Sequence, residues 1–193
     1  MIKWPRLNRW PAALSGLVLG LSLLTGPALA QAERKFQQPV LVTSSGQALD
    51  AFTVRTLLSR AGVNVTYDPK ATAAAVEGIK LVIIAVGASN KGFGQAGITA
   101  ETETARTKAI METAKARGAP VICVHIGGAE RRKGLSVQFI ELVCPVSDHM
   151  IVSKDGNEDG YFTDLAKSKG IPLTVIEQTL EVGKAISAML VQS

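Results

Sequence analysis

The sequence predicts an α/β protein with a single doubly wound, mostly parallel sheet of five or six strands and helices on both faces, in a flavodoxin-like or Rossmann-like order. From residue 39 to the C-terminus, apolar runs of strand length alternate with segments of helical periodicity, and this alternation requires crossover connections. The strongest strand signal, residues 79–86, is rich in branched side chains without polar alternation, as expected for a strand buried on both faces. Glycine and polar residues follow most of these strands, where ligands bind in this class of sheet.

Each predicted strand is a short apolar run that ends at turn residues, as the second strand does at Asp68-Pro69. The predicted strands cover residues 39–43, 63–67, 79–86, 121–126, 149–153 and 172–176.

The predicted helices follow from apolar residues three or four positions apart and from their end signals. In the first helix Ala51, Val54 and Leu58 mark the inner face and Gly62 ends it, whereas the helix from residue 99 begins with Glu101 and Glu103. The predicted helices cover residues 48–61, 70–76 (a weak segment), 99–117, 135–143, 161–169 and 178–190, and residues 87–98 are predicted to form a long loop.

Residues 1–30 have the pattern of a secretory signal peptide: three early cations, an apolar run at residues 12–24, and Ala28-Leu29-Ala30. The apolar run is shorter than the roughly 20 residues that a membrane-spanning helix needs. We therefore expect cleavage near Ala30, a polar leader at 31–38, a single α/β domain at 39–193, and a periplasmic or secreted protein without a transmembrane anchor.

Most of the net positive charge of the chain comes from residues 1–30. Removing residues 1–30 takes away 3 of 21 basic and none of 16 acidic residues, so 18 basic and 16 acidic residues remain, a net charge of +2. Both tryptophans also lie in this segment. The remainder has no electrostatic footprint for nucleic acid, and no nucleic-acid partner is predicted.

The two cysteines, Cys123 and Cys144, can form only one disulfide bond. We expect two buried thiols, because free cysteine packs as a small apolar residue. Neither a disulfide framework nor a zinc site is predicted.

The loops after the first and third strands carry polar candidates for a ligand site. Ser44, Ser45 and Gln47 suit either an anion site or a simple helix cap. Ser89, Asn90 and Lys91 lie in the long loop, whose G-x-G-x-x-G pattern is too far from the strand end for dinucleotide binding.

The loops after the fourth and fifth strands supply the other candidates. His125, Gly127 and Gly128 precede Arg131 and Arg132, and arginine suits carboxylate, phosphate or sulfate. Asn157 and Asp159 occupy calcium-loop positions, but Ala166 replaces the closing glutamate, so no metal site and no cofactor are predicted.

Familiar enzyme motifs are largely missing from the sequence. Gly46-Gln47 is similar to the first block of some esterases of the Ser-Gly-Asn-His class, but Ala48 stands where their serine would be. A hydrolytic triad of Ser45, His125 and Asp155 remains an alternative.

Taken in order, four loop motifs resemble a family of exported prokaryotic proteins that is known as domain of unknown function 6305. The motifs are Thr43-Ser-Ser-Gly-Gln, Ser89-Asn-Lys-Gly-Phe-Gly, His125-Ile-Gly-Gly with Arg131-Arg132, and Gly156-Asn-Glu-Asp-Gly. The resemblance spans about residues 39–190 and implies an exported α/β domain. It implies no catalytic residue.

Three hypotheses for function follow. The first is an exported protein that binds a small anionic molecule at the carboxyl ends of the strands. The second is an extracytoplasmic hydrolase that uses Ser45 and His125. The third is an accessory subunit that docks on a membrane transporter or enzyme and takes no small ligand.

Overall fold

One open sheet of six parallel strands forms the centre of the protein. The computed structural model describes residues 35–191, so the predicted signal peptide lies outside the described residues. The strands are β1 (Val40–Ser45), β2 (Val65–Tyr67), β3 (Leu81–Val86), β4 (Val121–His125), β5 (His149–Ser153) and β6 (Leu173–Ile176). Their order, β2-β1-β3-β4-β5-β6, confirms the predicted doubly wound α/β fold.

Six helices connect or follow the strands in the described part of the chain. They are α1 (Asp50–Arg60), α2 (Asn90–Ala96), α3 (Ala100–Ala116), α4 (Leu135–Val143), α5 (Tyr161–Lys169) and α6 (Val182–Ala188). The last helix is shorter than predicted because a 3₁₀ turn, Thr179–Glu181, precedes it. Among the helices of residues 35–191, none has the length and hydropathy needed to cross a membrane.

Apolar side chains fill both faces of the sheet. One core layer contains Ala51 and Val54 of α1 and Ile186 of α6. The opposite layer contains Ile110 of α3 and Phe162 of α5. All six residues of β3 are buried between these layers, which explains why its sequence lacks alternation.

Helix α2 corrects the prediction of an uninterrupted loop at residues 87–98. Its sequence contains two glycines, which disfavour a helix. The Ser89 hydroxyl nevertheless accepts a hydrogen bond from the Gly92 N–H at 3.0 Å, and the Phe93 ring packs against Phe139 with 5.9 Å between centroids. Capping and tertiary packing therefore outweigh the local propensity.

Cys123 and Cys144 form a disulfide bond, with 5.4 Å between their Cα atoms. The expectation of two free thiols is therefore wrong. Cys123 lies in β4 and Cys144 directly follows α4, and both pack in the same core layer. The fold brings the two cysteines together, and their spacing in the sequence does not reveal this contact.

The chain reverses its direction of travel across the sheet at β1 and β3. Strand β2 lies on one side of β1, and the later strands follow on the other side. In a doubly wound sheet, such a reversal opens a crevice beyond the carboxyl ends of the strands. The loops at this edge are therefore the expected place for a ligand site.

Candidate functional site

The loops after β1 and β3 are joined by backbone hydrogen bonds. The Ala48 N–H donates to the Gly87 carbonyl at 3.2 Å, and the Ser89 N–H donates to the Gly46 carbonyl at 2.9 Å. Gly46 has φ +104°, and a Cβ there would lie 2.4 Å from the Gly87 oxygen. Only glycine allows this close crossing without strain.

A buried ion pair from α3 holds the end of β1. The fully buried Glu103 carboxylate accepts hydrogen bonds from the Gly46 N–H at 2.9 Å and from Gln47 Nε2 at 3.0 Å. Arg106 binds both oxygens of Glu103 at 2.8 Å and donates to the carbonyls of Ala71 and Ser44. The pair therefore connects the loops after β1 and β2.

The sequence contained a signal for the buried position of Glu103. Together with Thr107, Ile110 and Ala114 it forms a row of buried residues at helical spacing on α3. Its place in the first turn suggested only a favourable interaction with the helix dipole. Arg106 has no equally clear signal, because it is three residues from Glu103 and beside this row.

We call the crevice beside this junction the cationic cleft. It has a volume of about 490 Å³ and lies beyond β1 and β2, against α2. Its lining includes Gln47, Leu49, Tyr67, Lys70, Ser89 and Lys91. Two lysines and no carboxylate line it, and within residues 35–191 neither lysine forms an ion pair. The lining of the cleft therefore has a net positive charge, and the nearby Asp68 carboxylate accepts the Lys70 backbone N–H at 2.8 Å just outside it.

The rim of the cleft is partly aromatic. The Phe52 and Tyr67 rings pack edge to face, with 6.1 Å between their centroids. The guanidinium carbon of Arg55 lies 5.7 Å from the Phe52 centroid and 5.8 Å from the Tyr67 centroid. Partial burial raises the pKa of Tyr67, so its phenol is a neutral hydrogen-bond donor at neutral pH.

A second crevice, of about 440 Å³, lies at the opposite edge of the sheet, near the amino ends of β4 and β5. Its lining combines Lys108 and Lys115 with Glu112 and Asp148. Charges of both signs make it a weaker candidate for an anion. It therefore serves as an internal comparison for the cationic cleft.

His125 occupies a separate niche, which we define as Asp50, His125 and Arg131. His125 is fully buried, and its Nδ1 lies 3.2 Å from the Val86 carbonyl, so Nδ1 carries the donated hydrogen. Its Nε2 and the Asp50 Oδ2 atom are buried without a hydrogen-bond partner among the described residues. Arg131 lies 3.6 Å from Asp50 Oδ2 and is half-exposed.

Burial controls the protonation of this niche. It lowers the pKa of His125, with Arg132 and Arg131 acting in the same direction. Burial also raises the pKa of Asp50, against the opposing influence of Arg131 and of protonated His125. Both shifts favour the uncharged form of the side chain.

The loop after β5 forms a third group of contacts. Arg132 donates to Asp159 Oδ2 at 2.5 Å and lies over the Tyr161 ring, 4.8 Å from its centroid. Asn157 Oδ1 accepts the Phe162 N–H at 2.8 Å at the start of α5. Arg132, Asn157 and Asp159 therefore already have structural partners.

The predicted site residues thus divide among separate places. Gln47, Ser89 and Lys91 line the cationic cleft, and Asn90 begins α2 beside it. Gly127 lies against His125 and Arg131, whereas Gly128 lies against Asp155. Lys70, which sequence reasoning missed, follows β2 at the same edge.

The two predicted serines point into the protein. Ser45 Oγ is 3.2 Å from Thr107 Oγ1, and Ser44 Oγ is buried without a partner among the described residues. Within residues 35–191, no hydrogen bond joins Ser45 to His125. The geometry therefore does not favour the hydrolytic pair.

The model of a family described as a domain of unknown function, DUF6305, matches residues 37–190. The chain belongs to this family. This match confirms the resemblance of the four loop motifs. No curated protein is significantly similar to the chain.

Among solved structures, this DUF6305 chain is similar to a variant of the esterase AlinE4, with 14% identity, a TM-score of 0.30, and coverage of 81% of this chain and 84% of the other. AlinE4 itself, an SGNH-hydrolase family esterase, is 13% identical with a TM-score of 0.27, and the match covers 83% of this chain and 84% of the esterase chain. These values carry no conclusion about the activity of the DUF6305 chain.

We expect His125 to make the stability of this DUF6305 domain depend on pH. The pKa of histidine in an unfolded chain is about 6.5, and that of folded His125 is lower, so the unfolded state binds more protons as the pH falls. The stabilisation is fully present above about pH 6.5 and is lost as the pH falls through the folded pKa. Urea unfolding between pH 8 and pH 5 should show this loss, and His125→Gln should reduce it.

Asp50 and His149 also affect the comparison of the wild type with His125→Gln. Asp50 has the opposite sign, because its raised folded pKa gives stability at acidic pH that is lost as the pH rises through that pKa. His149 is present in both proteins, so its effect cancels in the difference. An equal pH dependence in His125→Gln, or a His125 ring with an NMR pKa at or above about 6.5, would contradict the assignment.

Proposed function

We propose that the protein acts outside the cytoplasm as a binding protein for a small organic or inorganic anion, held in the cationic cleft. The observation that carries this proposal is the pair of unpaired lysines, Lys70 and Lys91, in a cleft without carboxylates at the reversal of the sheet. Crevices at such reversals are the usual ligand sites of doubly wound sheets.

Two further features support the proposal. The disulfide bond between Cys123 and Cys144 suits an oxidising compartment outside the cytoplasm, in agreement with the signal-peptide pattern of residues 1–30. The hydrogen bonds of Glu103 and Arg106 to the backbone of the cleft loops position these loops before a ligand binds, which lowers the ordering cost of binding.

The sequence favoured Arg131 and Arg132 as the anion-binding pair. Asp50 already lies beside Arg131, and Asp159 accepts a short hydrogen bond from Arg132. An anion would have to compete with these carboxylates. For this reason the proposal assigns the main electrostatic role to Lys70 and Lys91.

We expect the double substitution Lys70→Gln, Lys91→Gln to weaken anion binding at least tenfold. A hydrogen bond to a charged group contributes about 1.5 to 3 kcal/mol, and a factor of ten needs about 1.4 kcal/mol. The measurement is the rise in thermal midpoint of the purified protein with acetate, sulfate, phosphate and longer carboxylates, because a ligand of the native state raises it.

Lys184→Gln is the matched control, since Lys184 is an exposed lysine of α6 outside the cleft. It should retain the wild-type response. If no anion raises the midpoint, or if the double variant responds as strongly as the wild type, the proposed function is wrong.

A further inference from the structure

Most polar side chains of the cationic cleft already have partners. The Gln47 amide donates to the Pro69 carbonyl and to Glu103, each at 3.0 Å. The Ser89 hydroxyl accepts the Gly92 N–H at 3.0 Å. The principal donors left for a ligand are the two lysine ammonium groups, the Tyr67 phenol and the exposed Gln95 amide.

This small set of donors restricts the head group of the ligand. Phosphate and sulfate have four oxygens, and each must recover hydrogen bonds lost from water when the ion is bound. A carboxylate has two oxygens and one negative charge. Lys70 and Lys91 can satisfy these two oxygens, whereas the apolar walls formed by residues such as Leu49 offer few partners to the further oxygens of an inorganic oxyanion.

The remaining walls of the cleft are apolar. Ala48, Leu49, Pro69 and Ala96 line it together with the Tyr67 ring. Leu49 is 81% exposed, and the nearby Phe52 is 49% exposed. Ligand pockets typically combine such apolar walls with a few polar groups that set orientation.

We infer, on the basis of the proposed function, that the ligand is an amphipathic organic acid. Its carboxylate is held by Lys70 and Lys91, and its aliphatic or aromatic body lies against Tyr67 and Leu49. The charge of the cleft therefore selects the head group, and the apolar walls select the body.

A series of straight-chain acids tests this inference on the purified protein by calorimetric titration. The probes are acetate, butanoate, hexanoate and octanoate, with hexanol and inorganic phosphate for comparison. We expect Kd to fall by about twofold to fourfold for each added methylene, fourfold being the effect of full burial. Hexanol and phosphate should each bind at least tenfold more weakly than hexanoate.

Leu49→Asn tests the apolar contact. The side chain is mostly exposed at the start of α1 and makes no side-chain capping hydrogen bond, so folding should be retained. The variant should flatten the dependence of Kd on chain length. Leu180→Asn is the control, because Leu180 is 69% exposed and lies outside the cleft.

The outcomes separate the two proposals. If phosphate and acetate bind as tightly as octanoate, and Lys70→Gln with Lys91→Gln abolishes that binding, the proposed function stands and the amphipathic ligand is wrong. If Kd depends on the chain length of the acid equally in Leu49→Asn and in the wild type, the assigned contact of the ligand with Leu49 is wrong. If no anion binds, or the lysine variants bind normally, both proposals fail.

Discussion

Replacing Arg106 with alanine is expected to lower the free energy of unfolding by about 3 to 5 kcal/mol, the usual effect of removing one partner of a buried ion pair. Arg106 binds both oxygens of the fully buried Glu103. Without the guanidinium, the carboxylate is left buried and uncompensated. Urea unfolding of the wild type and the variant at neutral pH measures the difference.

Two further variants test the cause of this loss. Arg117→Ala removes an exposed cation that is 4.0 Å from Glu77 at the end of α3, and it should cost no more than about 1 kcal/mol. Adding Glu103→Gln to Arg106→Ala should restore part of the stability, because it removes the charge but keeps an oxygen for the Gly46 N–H. If Arg106→Ala lowers the free energy of unfolding by no more than Arg117→Ala does, the buried ion pair does not stabilise the loops at this edge of the sheet.

Removing the disulfide bond by Cys123→Ala with Cys144→Ala is expected to cost about 2 to 4 kcal/mol of unfolding free energy. The bond joins residues 21 positions apart and therefore restricts the unfolded chain. Urea unfolding of the oxidised wild type and the double variant measures this cost.

The control for the disulfide prediction is a reductant. It should lower the unfolding midpoint of the wild type toward that of the double variant and leave the double variant unchanged. Two free thiols in the purified native protein, counted by alkylation and mass measurement, would contradict the bond.

The fold could be predicted because its main signals are local. The apolar run of β3 and the alternation of strands with helices need no knowledge of tertiary contacts. Helix α2 could not be predicted in the same way, because its glycines oppose a helix and it is stabilised by the Phe93 contact with Phe139. The disulfide bond was also hidden, since only the folded chain brings Cys123 to Cys144.

The sequence indicated where the proposed site lies better than which residues form it. Strand ends indicated the edge of the sheet at which Gln47, Ser89 and Lys91 line the proposed cleft. They could not show that Asp159 already binds Arg132. Lys70 was not predicted because residues 70–76 have a weak helical pattern, although Lys70 follows β2 at the same edge as the other strand ends.

Chemical-shift mapping by ¹H–¹⁵N NMR can locate the site at which the protein binds a carboxylate. Hexanoate is titrated into the labelled protein, and the affected amides are located on the sheet. We expect the largest shifts at the cationic cleft, around Gln47, Lys70 and Lys91. Shifts at the opposite crevice, around Lys108 and Lys115, or no saturable shifts with any carboxylate, would contradict it.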